Sequence, residues 1–171
     1  MKKIVCLLLT LITMLCFCCA CEKGNYTITF VQSGQENIVK QVERGKKLTD
    51  IPTPIAQDGY DIYWDITDFS TITGDTTVNA VIKPKTFTIT YTYNELMDNA
   101  YEVVLEKTTQ DVLYNSEVSL ATASAANEER TLVFNGWKEI ESGEMFNGGK
   151  YAYTRNITLI AVFSAPDSEW S

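Results

Sequence analysis

The sequence contains no histidine, and its five cysteines, at positions 6, 16, 18, 19 and 21, all lie near the front. The missing imidazole removes the commonest general base and the commonest metal ligand. The cysteine distribution leaves everything after residue 21 without a disulfide. Positive charge is also scarce, with 14 Lys and Arg against 22 Asp and Glu over 171 residues and a formal charge of −8. Lys2 and Lys3 stand at the extreme front, so the remainder is more acidic still. Phosphate backbones and anionic lipid repel such a body, which argues against nucleic acid as a partner. The one basic cluster, Lys40, Arg44, Lys46 and Lys47, is interrupted by Glu43 and reads as a solvated turn.

What is present begins with a leader. Lys2 and Lys3 precede an uncharged apolar run over residues 4–17, the marks of a secretory signal peptide. The run is short for a bilayer span, which needs about 20 residues. Cys18-Cys19-Ala20-Cys21 follows, and the chain then turns polar. The small Ala20 before Cys21 resembles the bacterial lipobox, in which the cysteine receives a diacylglyceryl group and becomes the mature N-terminus. Cys18 and Cys19 stand where that motif usually has Leu and then Ala or Ser. The resemblance implies palmitate-type acyl chains on Cys21 and attachment to the extracytoplasmic face of a cell membrane. The alternatives are an ordinary secreted protein cut near Ala20, or an uncleaved anchor.

The body is rich in Thr, Val, Ile, Tyr and Phe, which suit a pleated, half-buried surface, so the fold class is mainly β, α+β at most. Tyr26-Thr27-Ile28-Thr29-Phe30-Val31 alternates with period two, as a strand with one buried face does. A turn at Gly34 leads to a second strand over 37–43, closing a hairpin. Gly45 ends it at positive φ. Leu48 and Ile51 read as inward anchors beside Pro52 and Pro54, which argue against a long helix there. Strands over 59–64 and 77–82 complete this stretch, joined by a connection carrying Phe69 and Ile72.

The pattern then restarts. Phe87-Thr88-Ile89-Thr90-Tyr91 repeats Tyr26-Thr27-Ile28-Thr29-Phe30. Residues 112–118 parallel 42–48, with Asn115 in place of Gly45; Asn tolerates the left-handed region better than most residues. Phe134-Asn135-Gly136-Trp137 parallels Ile62-Tyr63-Trp64 with one residue more, and 156–163 parallels 75–82. The shared order implies two tandem units, 25–84 and 85–164, after a signal peptide (1–20) and a lipidated N-terminus with a short linker (21–24). Residues 165–171 form a tail. The second unit is longer. Residues 94–109 read as an extended hairpin arm or one helical face, and the Ala-rich run 121–126 as a short helix or a loop.

In order, Gly45, Pro52, Gly59, Tyr60, Trp64, Val78 and Ala80 resemble the internalin B-repeat, also called the Listeria–Bacteroides repeat. Phe134, Gly136, Trp137, Leu159 and Ala161 are the matching positions in the second unit, which lacks the Pro-x-Pro and the Gly-Tyr. The first unit lacks the Gly usual before Trp64. The resemblance implies β-grasp-like units in a bacterial surface protein, where such repeats extend or support an adhesive region, with no catalytic residues. It implies a non-enzymatic adhesion, interaction or spacer module that requires no cofactor, with a surface protein or polysaccharide as the partner. The alternative is an extracytoplasmic enzyme accessory or a carbohydrate- or peptide-binding module.

Other chemistry has little support. Asp58, Asp61, Asp65 and Asp68 surround Trp64, but no EF-hand pattern is present and no metal is expected. Ser33, Ser70, Ser116 and Ser119 have no histidine to activate them. Trp64 and Trp137 read as core residues, with a ligand-binding surface as the sharper alternative. Tyr91, Tyr93 and Tyr101 form either an exposed aromatic stripe or cross-strand pairs.

Overall fold

A computed structural model describes residues 24–97 and 99–166; the leader, Cys21 and residues 167–171 of the tail lie outside them. The described chain is mainly β and contains no α-helix. Four strands come first: β1 (Asn25–Val31), β2 (Ile38–Glu43), β3 (Tyr60–Trp64) and β4 (Thr76–Pro84). Then come β5 (Thr86–Thr92), a 3₁₀ turn at Glu95–Met97, β6 (Glu102–Leu105), β7 (Thr109–Leu113), β8 (Glu117–Val118) and β9 (Ala123–Ala126). The chain closes with β10 (Val133–Glu139), β11 (Met145–Phe146), β12 (Gly149–Lys150) and β13 (Ile157–Ser164). β4 runs through Lys83 and Pro84, so the expected connector at 83–85 is mostly strand.

The chain divides into two compact units. Among the described residues, one comprises 24–54 and 64–80, the other 55–63 and 81–166. The first holds β1, β2 and most of β4, in the order β2-β1-β4, with Trp64 from the end of β3. Period-two alternation puts Ile28 and Phe30 on the covered face of β1, with Val42, Leu48, Trp64, Phe69, Ile72 and Val78 closing the core. Each aliphatic or Phe side chain fully covered there contributes about 1.5–3 kcal/mol. Ile51 does not join them: it is 42% exposed. Pro52 instead turns its carbonyl inward to meet the Trp64 indole.

The second unit carries a sheet of order β11-β10-β13-β5-β7. Its core gathers Ile89, Tyr91, Val112, Val118, Ala121, Trp137, Tyr151, Ile157, Leu159 and Ala161. The two sheets share their pairing pattern. β1 runs antiparallel to β2 with Tyr26 opposite Val42, and parallel to β4 with Ile28 opposite Thr76. β5 runs antiparallel to β7 with Phe87 opposite Val112, and parallel to β13 with Ile89 opposite Ile157. Gly45 and Asn115 end the corresponding strands at φ 77° and 60°. The additional residue before Trp137 is absorbed by a β-bulge between Phe134 and Gly136, where Gly136 takes φ 115°.

The inserted stretches resolve differently from either expectation. Residues 94–109 are neither a self-contained hairpin nor a helix, and of the Ala-rich run Ala123–Ala126 form a strand, with 121–122 leading into it outside any regular element. β6 pairs with β9, with Leu105 opposite Ala123 and Glu102 opposite Ala126. Ala121 and Ala125 are buried while Thr122 and Ser124 are exposed, a period-two pattern that a helix would not keep.

Candidate interaction surfaces

The two tryptophans take equivalent stations. Trp64 donates its indole N–H to the Pro52 carbonyl at 2.7 Å, and Trp137 donates to the Ala121 carbonyl at 2.7 Å. Phe30 meets Trp64 edge-on at 5.0 Å between centroids, and Tyr91 meets Trp137 at 4.7 Å. Trp64 is 8% exposed and Trp137 1%. Neither presents a stacking face to a sugar or peptide, so the binding alternative for Trp64 and Trp137 is set aside. The tyrosine stripe does not form either. Tyr91 is buried and donates its hydroxyl to Gln110 Oε1 at 2.9 Å, and burial raises its pKa. Tyr93 packs against the second core, and Tyr101 lies apart on the inserted ribbon.

The acidic side chains near Trp64 hold backbone. Asp65 accepts from the Asn79 N–H at 2.8 Å and from its amide at 3.0 Å; the side-chain bond and then the backbone bond lower its pKa. Asp68 accepts from the Ser70 N–H at 2.8 Å, and the Ser70 side chain first and then this backbone bond hold its carboxyl low. Asp61 lies 3.8 Å from the Lys85 ammonium. Among the described residues no three Cys, Asp or Glu side chains converge as a cation site would require. Ser116 donates its hydroxyl to the Leu113 carbonyl at 2.7 Å, while Ser33, Ser70 and Ser119 are exposed.

Matching side-chain hydrogen bonds recur in the two sheets. Asp75 Oδ1 accepts the Thr27 N–H at 2.8 Å, and Asn156 Oδ1 accepts the Thr88 N–H at 2.9 Å. Gln41 donates to Thr27 Oγ1 at 3.1 Å, and the Thr88 hydroxyl donates to Asp111 at 2.8 Å. In each case the first strand of the unit is tied to the loop before its parallel partner and to its hairpin partner.

One polar cluster was missed by sequence reasoning. Glu139, at the end of β10, is 0% exposed. Its carboxylate accepts the N–H groups of Glu141 at 3.1 Å and Ser142 at 2.7 Å, and Arg155 lies 3.4 Å away. Burial alone would raise its pKa, but the Ser142 and Glu141 donors and the Arg155 guanidinium outweigh it and hold it at about 2. Arg155 also reaches Glu141 at 3.1 Å and lies over the Tyr153 ring, while its carbonyl accepts the Tyr151 hydroxyl at 2.6 Å. The available signal was parity: Glu139 is two residues beyond Trp137 and so shares its inward face. The cluster ties the β10–β11 turn to the loop before β13.

A shallow cleft of about 590 Å³ lies between residues 99–102 and 126–128, where the half-buried Tyr101 and the exposed Asn99, Glu102 and Glu128 line it beside the Asn127 amide, which donates to the Ala100 carbonyl at 2.9 Å. Among the described residues no helix is long and apolar enough to cross a membrane. No family model, curated protein or solved structure matches the chain.

Proposed function

We propose that this chain is a bacterial lipoprotein, anchored through Cys21 on the extracytoplasmic face of the cell membrane, that presents two β-grasp-like repeats as a non-enzymatic interaction or spacer module. The observation that carries this reading is the matched register of the two sheets, reinforced by the same Trp-to-carbonyl bond in each. Repetition of one structural unit extends a surface without requiring a reaction centre. The polar groups nearest the two tryptophans are engaged in capping and turn bonds, which supports contact over chemistry.

The anchor is tested by mass spectrometry of the membrane fraction, with Cys21→Ser beside the native chain. A diacylated N-terminal Cys21, and release of the Cys21→Ser protein from membranes, is the expected result. An unmodified native chain beginning at Cys21 or later refutes the anchor. A second reading, a carbohydrate-binding module, is favoured by the cleft, whose lining combines Tyr101 with the amides of Asn99 and Asn127 and the carboxyl groups of Glu102 and Glu128. Retention of the native chain, but not of Tyr101→Ala, on immobilised polysaccharide would select it.

A further inference from the structure

The basic cluster is an exposed turn, as its composition implies, and the fold gives it a particular place. Asn25 opens β1 opposite Glu43, the last residue of β2, so Arg44, Gly45, Lys46 and Lys47 follow at the end of the sheet where β1 begins. The placement is fixed by hydrogen bonds: the Arg44 N–H donates to the Gly24 carbonyl at 3.1 Å, and Lys46 N–H closes the turn on Glu43 at 3.0 Å. The Arg44 guanidinium lies 5.1 Å from the Tyr26 ring centroid. Lys46 and Lys47 are exposed. Lys40, by contrast, is paired with Asp50.

Gly24 is three residues from Cys21. A fully extended chain covers about 3.4 Å per residue, so about 10 Å separates the anchor from the turn's backbone partner at most. That distance is comparable to the Debye length of about 8 Å at physiological ionic strength. A net acidic body is thus tethered close to its basic turn: Arg44, Lys46 and Lys47 stand against Glu43 beside them and Asp75, which accepts the Thr27 N–H one strand over, so the formal local balance is positive by one.

We propose that the Arg44–Lys47 turn is a docking surface for anionic phospholipid headgroups, which holds the first unit in a defined orientation on the bilayer. This inference rests on the acylation of Cys21 proposed above. The turn supplies the short-range attraction, and the acidic remainder is repelled outward, so the two signs of charge act together on orientation. Each basic side chain near an anionic surface is expected to favour the docked orientation about fivefold at physiological salt.

The test uses the acylated protein, purified from membranes and reconstituted into vesicles of phosphatidylcholine with or without phosphatidylglycerol. The chain has no cysteine beyond Cys21, so Thr49→Cys, next to the basic turn, and Ser33→Cys, in the β1–β2 turn at the other end of the same hairpin, each accept one fluorescent label. Quenching by headgroup nitroxides should be stronger at position 49 than at 33, should rise with phosphatidylglycerol, and should fall at high salt. Lys46→Gln with Lys47→Gln should remove that rise, about 25-fold in the docked population. An acylated chain whose position 49 quenches equally on both vesicle types overturns the proposal alone. A chain that mass spectrometry shows to be unacylated removes the anchor and the proposal together.

Discussion

Replacing Trp64 by Ala is the most direct test of how the first unit is held together. The indole is nearly enclosed, meets Phe30 edge-on at 5.0 Å, and donates to the Pro52 carbonyl at 2.7 Å. Truncation of a core Trp costs about 3–5 kcal/mol through lost transfer energy and the cavity left behind. Loss of the indole donor adds a fraction of the roughly 1–3 kcal/mol of an unsatisfied buried carbonyl, since Pro52 is only half-buried and water can replace it in part. Small domains are stable by about 5–15 kcal/mol in total, so the unit should open far more often or lose its fold. Amide exchange reads this locally. The Ile28, Phe30 and Val78 amides lie in paired β1 and β4, and their protection should fall by about 10²–10⁴-fold. Trp64→Phe retains the ring and should lose much less. Unchanged protection in Trp64→Ala would refute the assignment of the indole as the centre of this core.

The remaining predictions are as follows. Glu139 has a folded pKa of about 2 against an ordinary 4.5, so its contribution is complete above about pH 4.5 and is lost as pH falls toward 2. Glu139→Gln should lower stability at neutral pH and flatten that acid-side dependence in urea titrations read by circular dichroism; an unchanged slope would remove Glu139 as its source. Asn115 sits at φ 60°, so Asn115→Val should destabilise by about 1–2 kcal/mol while Asn115→Gly is tolerated, as measured by thermal denaturation. Asp75→Ala and Asn156→Ala each remove an acceptor from an equivalent strand N–H, and each should cost about 0.5–1.5 kcal/mol in the same assay; widely unequal costs would argue against equivalence of the two loops.

The sequence determined the strand content and the inward face of most strands, because period two is a local property. Ile28 with Phe30 and Ile89 with Tyr91 are legible from alternation alone, and the left-handed turn at Asn115 follows from comparison with Gly45. Tertiary structure decided what depended on a distant partner. The 94–109 stretch acquired its conformation by pairing β6 with β9, and neither segment carries the other's address. Ile51 and Pro52 illustrate the same limit: which one faced the core depended on where the Trp64 N–H needed an acceptor. Glu139 could be placed inside by parity, but its charge is tolerated there only because the turn amides and Arg155 converge on it. The basic turn followed the same rule: its composition was plain in the chain, and the hairpin register alone put it beside Gly24. Local patterning fixes which face a residue presents; long-range pairing fixes what that face meets.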